Sequence, residues 1–203
     1  MEDYLDKREE AKQDAPIPLR MKVDYEAELF VPGKIRTYSG HYFDAFNPVA
    51  ELIKIEDIAH ALSQQPRYAG HLPKFYSVAQ HCLYVMRILP PALKLVGLLH
   101  DAAEAYLCDI PSPFKAHIQG YKGAENNLLT AILKKFGVFD LYMKNQAAIK
   151  EADIKALKIE WDVLMMRRPN YDPKFAPAAG WYVHPERIEA IFLRNFLKHY
   201  KAA

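Results

Sequence analysis

Apolar positions recur along this chain at helical spacing from about residue 55 onward. In IEDIAHALSQQ, Ile55, Ile58, Ala59 and Leu62 fall three and four apart, which predicts a helix that Pro66 ends. Ser77 followed by Gln80 is a capping box, opening a second helix that runs through His81 to the Pro90–Pro91 break. A third helix is predicted from Ala92 to about Leu107, and a fourth over 122–136 with Gly137 as its stop. The fifth runs from Asn145 to about Arg168, with Ile149, Ala152, Ala156, Ile159 and Val163 as its apolar stripe. A Pro/Gly/Asn-rich stretch, 169–180, precedes a last helix from Pro185 to about Tyr200. Upstream the pattern differs: Tyr38, Tyr42, Phe43 and Phe46 cluster around Gly40 between the turn signals Pro32–Gly33 and Asn47–Pro48. That predicts extended chain or a short hairpin packing on a helical body. The expected fold is all-α, a helical bundle over 35–203, with residues 1–34 as an N-terminal extension.

Composition narrows the classes. The chain has 203 residues, 51% hydrophobic and 26% charged, values that fit one globular domain with a sizeable core. Its net charge of +2 and its scattered Lys and Arg argue against a nucleic-acid polymer as partner. No apolar run approaches the roughly 20 residues of a membrane span, and the charged amino terminus does not read as a signal peptide. Cys82 and Cys108, in helical stretches expected to be buried or half-buried, read as free thiols of a reducing compartment, so a cytoplasmic location is expected.

The chemistry concentrates in LVGLLHDAAEAYLCDIPSP. Leu95, Val96, Leu98 and Leu99 should bury the helix where His100, Asp101 and Glu104 begin, and such groups are unfavourable inside unless compensated. His81 lies mid-helix among apolar neighbours, and Asp153 sits beside Ala152 and Ile154 on the long helix. Singly, each fits an ordinary core or surface role. Jointly, His81, His100, Asp101 and Asp153 form a nitrogen/oxygen set suited to a divalent transition metal: Zn, Co or Mn first, with Ni, Fe or Mg as alternatives. Glu104 would then serve as the base or water-orienting group beside it.

HDAAEAYLCDIPSPFK resembles the core of the HD-domain metal-dependent phosphohydrolases. The pattern HD-x-x-E-x-x-x-x-D-x-P-x-P-x-K, met by His100, Asp101, Glu104, Asp109, Pro111, Pro113 and Lys115, is more specific than the doublet. It is similar to the branch acting on deoxynucleotides, which includes phage dATP triphosphohydrolases and prophage 5′-deoxynucleotidases. The likeness spans about residues 35–165. It implies His81, His100, Asp101 and Asp153 as metal ligands, Glu104 and Asp109 as catalytic residues, and Arg67, Tyr68, Asp109 and Lys115 in contact with substrate. His71 is expected to line the same pocket. Tyr68 stands where relatives often carry Trp, and Cys108 where they often carry Gly.

The resemblance implies cleavage of the 5′-phosphate ester of 2′-deoxynucleotides: dATP to deoxyadenosine and triphosphate, with dADP and dAMP as further substrates. The alternatives are a general 5′-deoxynucleotidase, an alarmone or cyclic-dinucleotide hydrolase, and a non-catalytic helical module. Relatives of this kind form dimers or larger rings, so a homo-oligomer, dimer or hexamer, is expected, in a host cytoplasm if phage-encoded. Read without the family, Arg67 pairs with a surface acid, Lys115 and Lys74 are solvated, and Met165–Met166 belong to the core. His41, His60, His117 and His184 then read as structural or exposed, and the aromatic cluster around Gly40 as packing.

Overall fold

Helices form where apolar spacing placed them, and they bury the stripes that spacing defined. A computed structural model of the chain describes residues 31–169, 172, 174, 175 and 182–200. The expected extension therefore falls largely outside the described residues, as does most of 169–180. The unit Gly33–Ala203 carries the elements that follow.

Strand β1 (Ile35–Arg36) pairs antiparallel with β2 (Tyr42–Phe43), Ile35 opposite Phe43. Gly40, at φ +87°, supplies the left-handed residue of the intervening turn. Phe43 is fully buried and stacks on Tyr106 at 4.3 Å between centroids, a contact whose burial stabilises by about 1.5–3 kcal/mol. Tyr38 and Phe46 do not join this packing: both are exposed, and Tyr38 stacks instead on His60.

The body is helical: α1 (Ile55–Gln64), α2 (Val78–Ile88), α3 (Lys94–Leu99), α4 (Glu104–Leu107), α5 (Ser112–Lys115), α6 (Tyr121–Lys135), α7 (Phe139–Lys144), α8 (Gln146–Glu160) and α9 (Pro185–His199). Buried from Val78 through Met86, α2 is the central helix, packed on α1, α3, α8 and α9. The capping box at its start is complete. Ser77 Oγ accepts from the Gln80 N–H at 3.2 Å, and Gln80 Oε1 accepts from the Ser77 N–H at 2.9 Å. Among the described residues, no helix is long and apolar enough to cross a membrane.

The helix expected over 92–107 is broken. After Leu99 the chain tightens into three-residue turns: Ala102 N–H donates to Leu99 O, Glu104 N–H to Asp101 O and Tyr106 N–H to Ala103 O. Apolar spacing of three and four is compatible with both windings, so the pattern alone did not separate them. The long fifth helix is also shorter than expected. It gives way after Glu160 to a π-turn, Trp161–Met165, which shifts the side-chain register and leaves Met166 exposed rather than in the core. Cys108 is exposed as well, because the chain leaves the helix there at φ 67°, ψ 153°. Cys82 is buried, with its thiol pushed up to about 11 by that burial.

Candidate metal centre

Three segments converge at one end of α2. His81 comes from α2, His100 and Asp101 from the tightened turn after α3, and Asp153 from α8. His81 Nε2 lies 3.2 Å from Asp153 Oδ1 and 3.5 Å from Asp101 Oδ2. His100 Nε2 lies 3.2 Å from Asp101 Oδ2 and 4.0 Å from Asp153 Oδ1. Neighbouring donors on an ion with bonds of about 2.1 Å stand about 3.0 Å apart at right angles and more at wider angles, so the spacings among His81, His100 and Asp101 suit one cation, with Asp153 bordering it on the His81 side. Both Nε2 atoms are buried and make no hydrogen bond. Ligand atoms of His81, His100 and Asp101 fall within 4.8 Å of one another, and the cluster can hold a metal ion.

The opposite ring nitrogens fix how each imidazole faces this point. His100 Nδ1 donates to the Gly97 carbonyl at 2.8 Å, and His81 Nδ1 to Glu160 Oε1 at the same distance. With Nδ1 occupied as donor, Nε2 presents its lone pair to a metal. Gly97 is required where it stands, since a Cβ there would come 2.5 Å from Leu89 Cδ1 and 3.2 Å from Met86 Cα. Burial and Arg67 oppose the charged form of His81, yet Glu160 and Asp153 raise its pKa. Burial likewise opposes protonated His100, which Asp101 nonetheless holds well above its ordinary value. Burial pushes Asp101 up, but His100 and His81 hold it well below the usual carboxylate range. Asp153 is also held low against its burial, with its second oxygen 2.7 Å from Lys150 Nζ.

A cavity of about 1350 Å³ opens over the cluster, above the roughly 300–1,000 Å³ of ordinary ligand pockets. Arg67, Tyr68, His71, His100, Asp101, Glu104, Asp109, Lys115 and Asp153 all line it. His81 is absent from the lining because it reaches the cluster from the buried side. In the three-residue winding, i and i+3 eclipse, which sets Glu104 directly beyond Asp101. Burial, Asp101 and Asp109 push the Glu104 carboxyl up to about 9 against the pull of Lys115. Lys115 is half-buried rather than free in solvent: its Nζ sits 2.8 Å from Glu104 and 2.6 Å from Glu125. Asp109 is raised by burial and by Asp101, although Arg67 and Lys115 oppose the shift. Gln65 braces the segment between the two acids. Its amide donates to the Glu104 carbonyl at 3.0 Å and accepts from the Asp109 N–H at 3.1 Å.

Arg67 opens a loop whose neck is closed by backbone bonds, Arg67 N–H to Tyr76 O and Val78 N–H to Gln65 O. Within it Tyr68 and Ala69 both take positive φ, 55° and 49°, an uncommon conformation for side chains of this kind. The partner of Arg67 is not a surface acid but Glu160, fully buried, 3.2 Å from Nε. Burial works against the guanidinium, but Glu160, Asp109 and Asp101 keep it charged. Glu160 and the cavity-lining Trp161 are the site residues that sequence reasoning missed. Glu160 had a signal: it falls four residues after Ala156, in register with the buried Ile149, Ala152 and Ala156.

This is a helical protein with a His/Asp cluster able to hold a metal at the base of a large cavity. The chain is 39% identical over 128 residues to YfdR of Escherichia coli (strain K12), an uncharacterized protein, covering 62% of this chain and 69% of YfdR. It is 36% identical over 136 residues to a second uncharacterized protein, from Rhodobacter capsulatus, with the same two shares covered. The chain belongs to the family of these two proteins. No protein-family model matches it.

Proposed function

We propose that this protein is a metal-dependent phosphohydrolase that cleaves the 5′-phosphate ester of 2′-deoxynucleotides, with dATP as the leading substrate. The observation that carries this reading is the convergence of His81, His100, Asp101 and Asp153 beneath a cavity lined by Glu104, Asp109, Arg67 and Lys115. The choice of deoxynucleotide, and of adenine, comes from the resemblance of the His100–Lys115 motif to HD-domain enzymes. A bound divalent ion supplies Lewis-acid stabilisation and a water of lowered pKa.

The residues divide the remaining work. Glu104, raised by burial and by its acidic neighbours and lining the cavity, is the group that would accept the proton of the attacking water in its ionised form. Arg67, anchored through Nε, directs its terminal nitrogens at phosphate oxygens, and Lys115 adds a point charge. Asp109 meets the sugar. Water adds to the α-phosphorus, the P–O5′ bond breaks, and O5′ leaves with a proton as the deoxynucleoside hydroxyl. The other product is triphosphate from dATP, or phosphate from dAMP.

The test is a panel of all deoxy- and ribonucleotides, a guanosine tetraphosphate alarmone and a cyclic dinucleotide with Mn(II) or Co(II), phosphate and triphosphate being measured separately. Triphosphate release from dATP above the ribonucleotide background is expected. Hydrolysis confined to an alarmone or a cyclic dinucleotide would sink the proposal.

A further inference from the structure

The structure assigns Glu160 as the positioning residue of the metal centre, an inference that rests on the metal-binding part of the reading above. It is the last residue of α8, entirely buried, and carries a carboxylate held below its ordinary pKa against the effect of burial. An isolated charge there would be strongly unfavourable, so its partners define what it is for. Oε1 accepts from His81 Nδ1 at 2.8 Å and from the Tyr76 hydroxyl at 3.0 Å; Oε2 faces Arg67 Nε at 3.2 Å.

The arrangement is a closed circuit. Arg67 N–H donates to the Tyr76 carbonyl at 2.9 Å, Tyr76 reaches Glu160 through its hydroxyl, and Glu160 returns to the Arg67 side chain. Two groups thus hold the carboxylate in place while it accepts the hydrogen bond of the His81 Nδ1–H. The result is a single tautomer of His81, with Nε2 aimed at Asp101 and Asp153. His100 achieves the same with the carbonyl of Gly97, a neutral acceptor, so Glu160 is the charged member of the pair. Glu160 also joins His81 to Arg67, which lines the cavity, so both are set by one side chain.

Glu160→Gln keeps the shape and removes the charge. It is tested by titrating the full chain with Co(II) and reading the dissociation constant and the ligand-field spectrum. Metal affinity should fall by about 10- to 100-fold, the usual loss for such partners. The far-downfield proton resonance expected of the His81 Nδ1–H should move upfield. Tyr84→Phe is the stability control: it removes a hydroxyl bonded to Asp172 from the same helix, and should leave Co(II) affinity within about threefold. A folded Glu160→Gln with wild-type affinity and spectrum overturns the assignment. So does a loss of affinity that merely follows lost stability and appears equally in Tyr84→Phe. Should Glu160→Gln fail to fold, Glu160→Asp, which keeps the charge but shortens the reach, is read by the same criteria. A wild-type chain that binds no Co(II) overturns the metal reading itself, a different result from either.

Discussion

The two walls of the site are built on opposite principles. On the α2–α8 side, His81, Tyr76, Arg67 and Glu160 form a buried circuit in which each charge meets an opposite one. On the other side, the segment from His100 to Lys115 crowds the carboxyls of Asp101, Glu104 and Asp109 together, with His100 against Asp101 and Lys115 against Glu104. Its backbone is strained too, since Cys108 holds a φ/ψ that glycine ordinarily fills. The contrast teaches that the first wall is preorganised without a ligand, whereas the second keeps a proton on Glu104 that a nearby cation would displace.

The largest break in this comparison is Asp101→Ala. It removes a ligand from the acidic wall, and turnover of the panel substrates should fall more than about a thousandfold, the scale of several kcal/mol of lost charge stabilisation. Differential scanning fluorimetry supplies the second readout. The wild-type chain should gain about 2.7 kcal/mol when Co(II) is at a hundred times its Kd, and the variant should gain almost nothing. Gly97→Ala attacks the ordered wall instead, driving a methyl into Leu89 and the α2 backbone. Chemical denaturation should show a loss of about 1–3 kcal/mol, together with weaker metal binding through His100.

A pH series sharpens the other side. Glu104 titrates at about 9 in the folded chain, so over the range between an ordinary carboxylate value and 9 the folded state holds a proton the unfolded state has released. Stability without metal should therefore fall as pH rises through that window. Glu104→Gln should flatten the fall, matching wild type near pH 5 and exceeding it near pH 9. An unchanged slope in the variant would show that Glu104 does not carry the penalty. The smallest effect is Cys108→Gly, which relieves the strained backbone and should stabilise by about 1 kcal/mol in denaturant melts.

Much of this was legible in the sequence, for reasons that differ by residue. The capping box at Ser77, the stop at Pro66 and the stripe along α8 are local signals, and local chemistry decided them. The convergence of His81 with the His100–Asp101 pair was legible because adjacent polar residues in an apolar setting need a common partner. The break after Leu99 was not, because a three-residue winding preserves the apolar spacing that suggested continuity. Glu160 was read past because acids on helices are usually solvated, and its meaning depends on Tyr76 and Arg67, which are remote in sequence. The exposure of Met166 likewise depends on a π-turn for which periodicity carries no marker.

The closed neck of the Pro66–Ser77 loop makes that loop an interchangeable part. Backbone bonds at Arg67–Tyr76 and Gln65–Val78 clamp both ends, so its tip is anchored independently of its own length and composition. Residues 68 to 74 could be exchanged or lengthened while α2 and its histidine keep their place. Such a clamp beneath a replaceable rim would let one His/Asp cluster sit under cavities of different shape, new selectivity arriving by loop grafting rather than by redesign of the core.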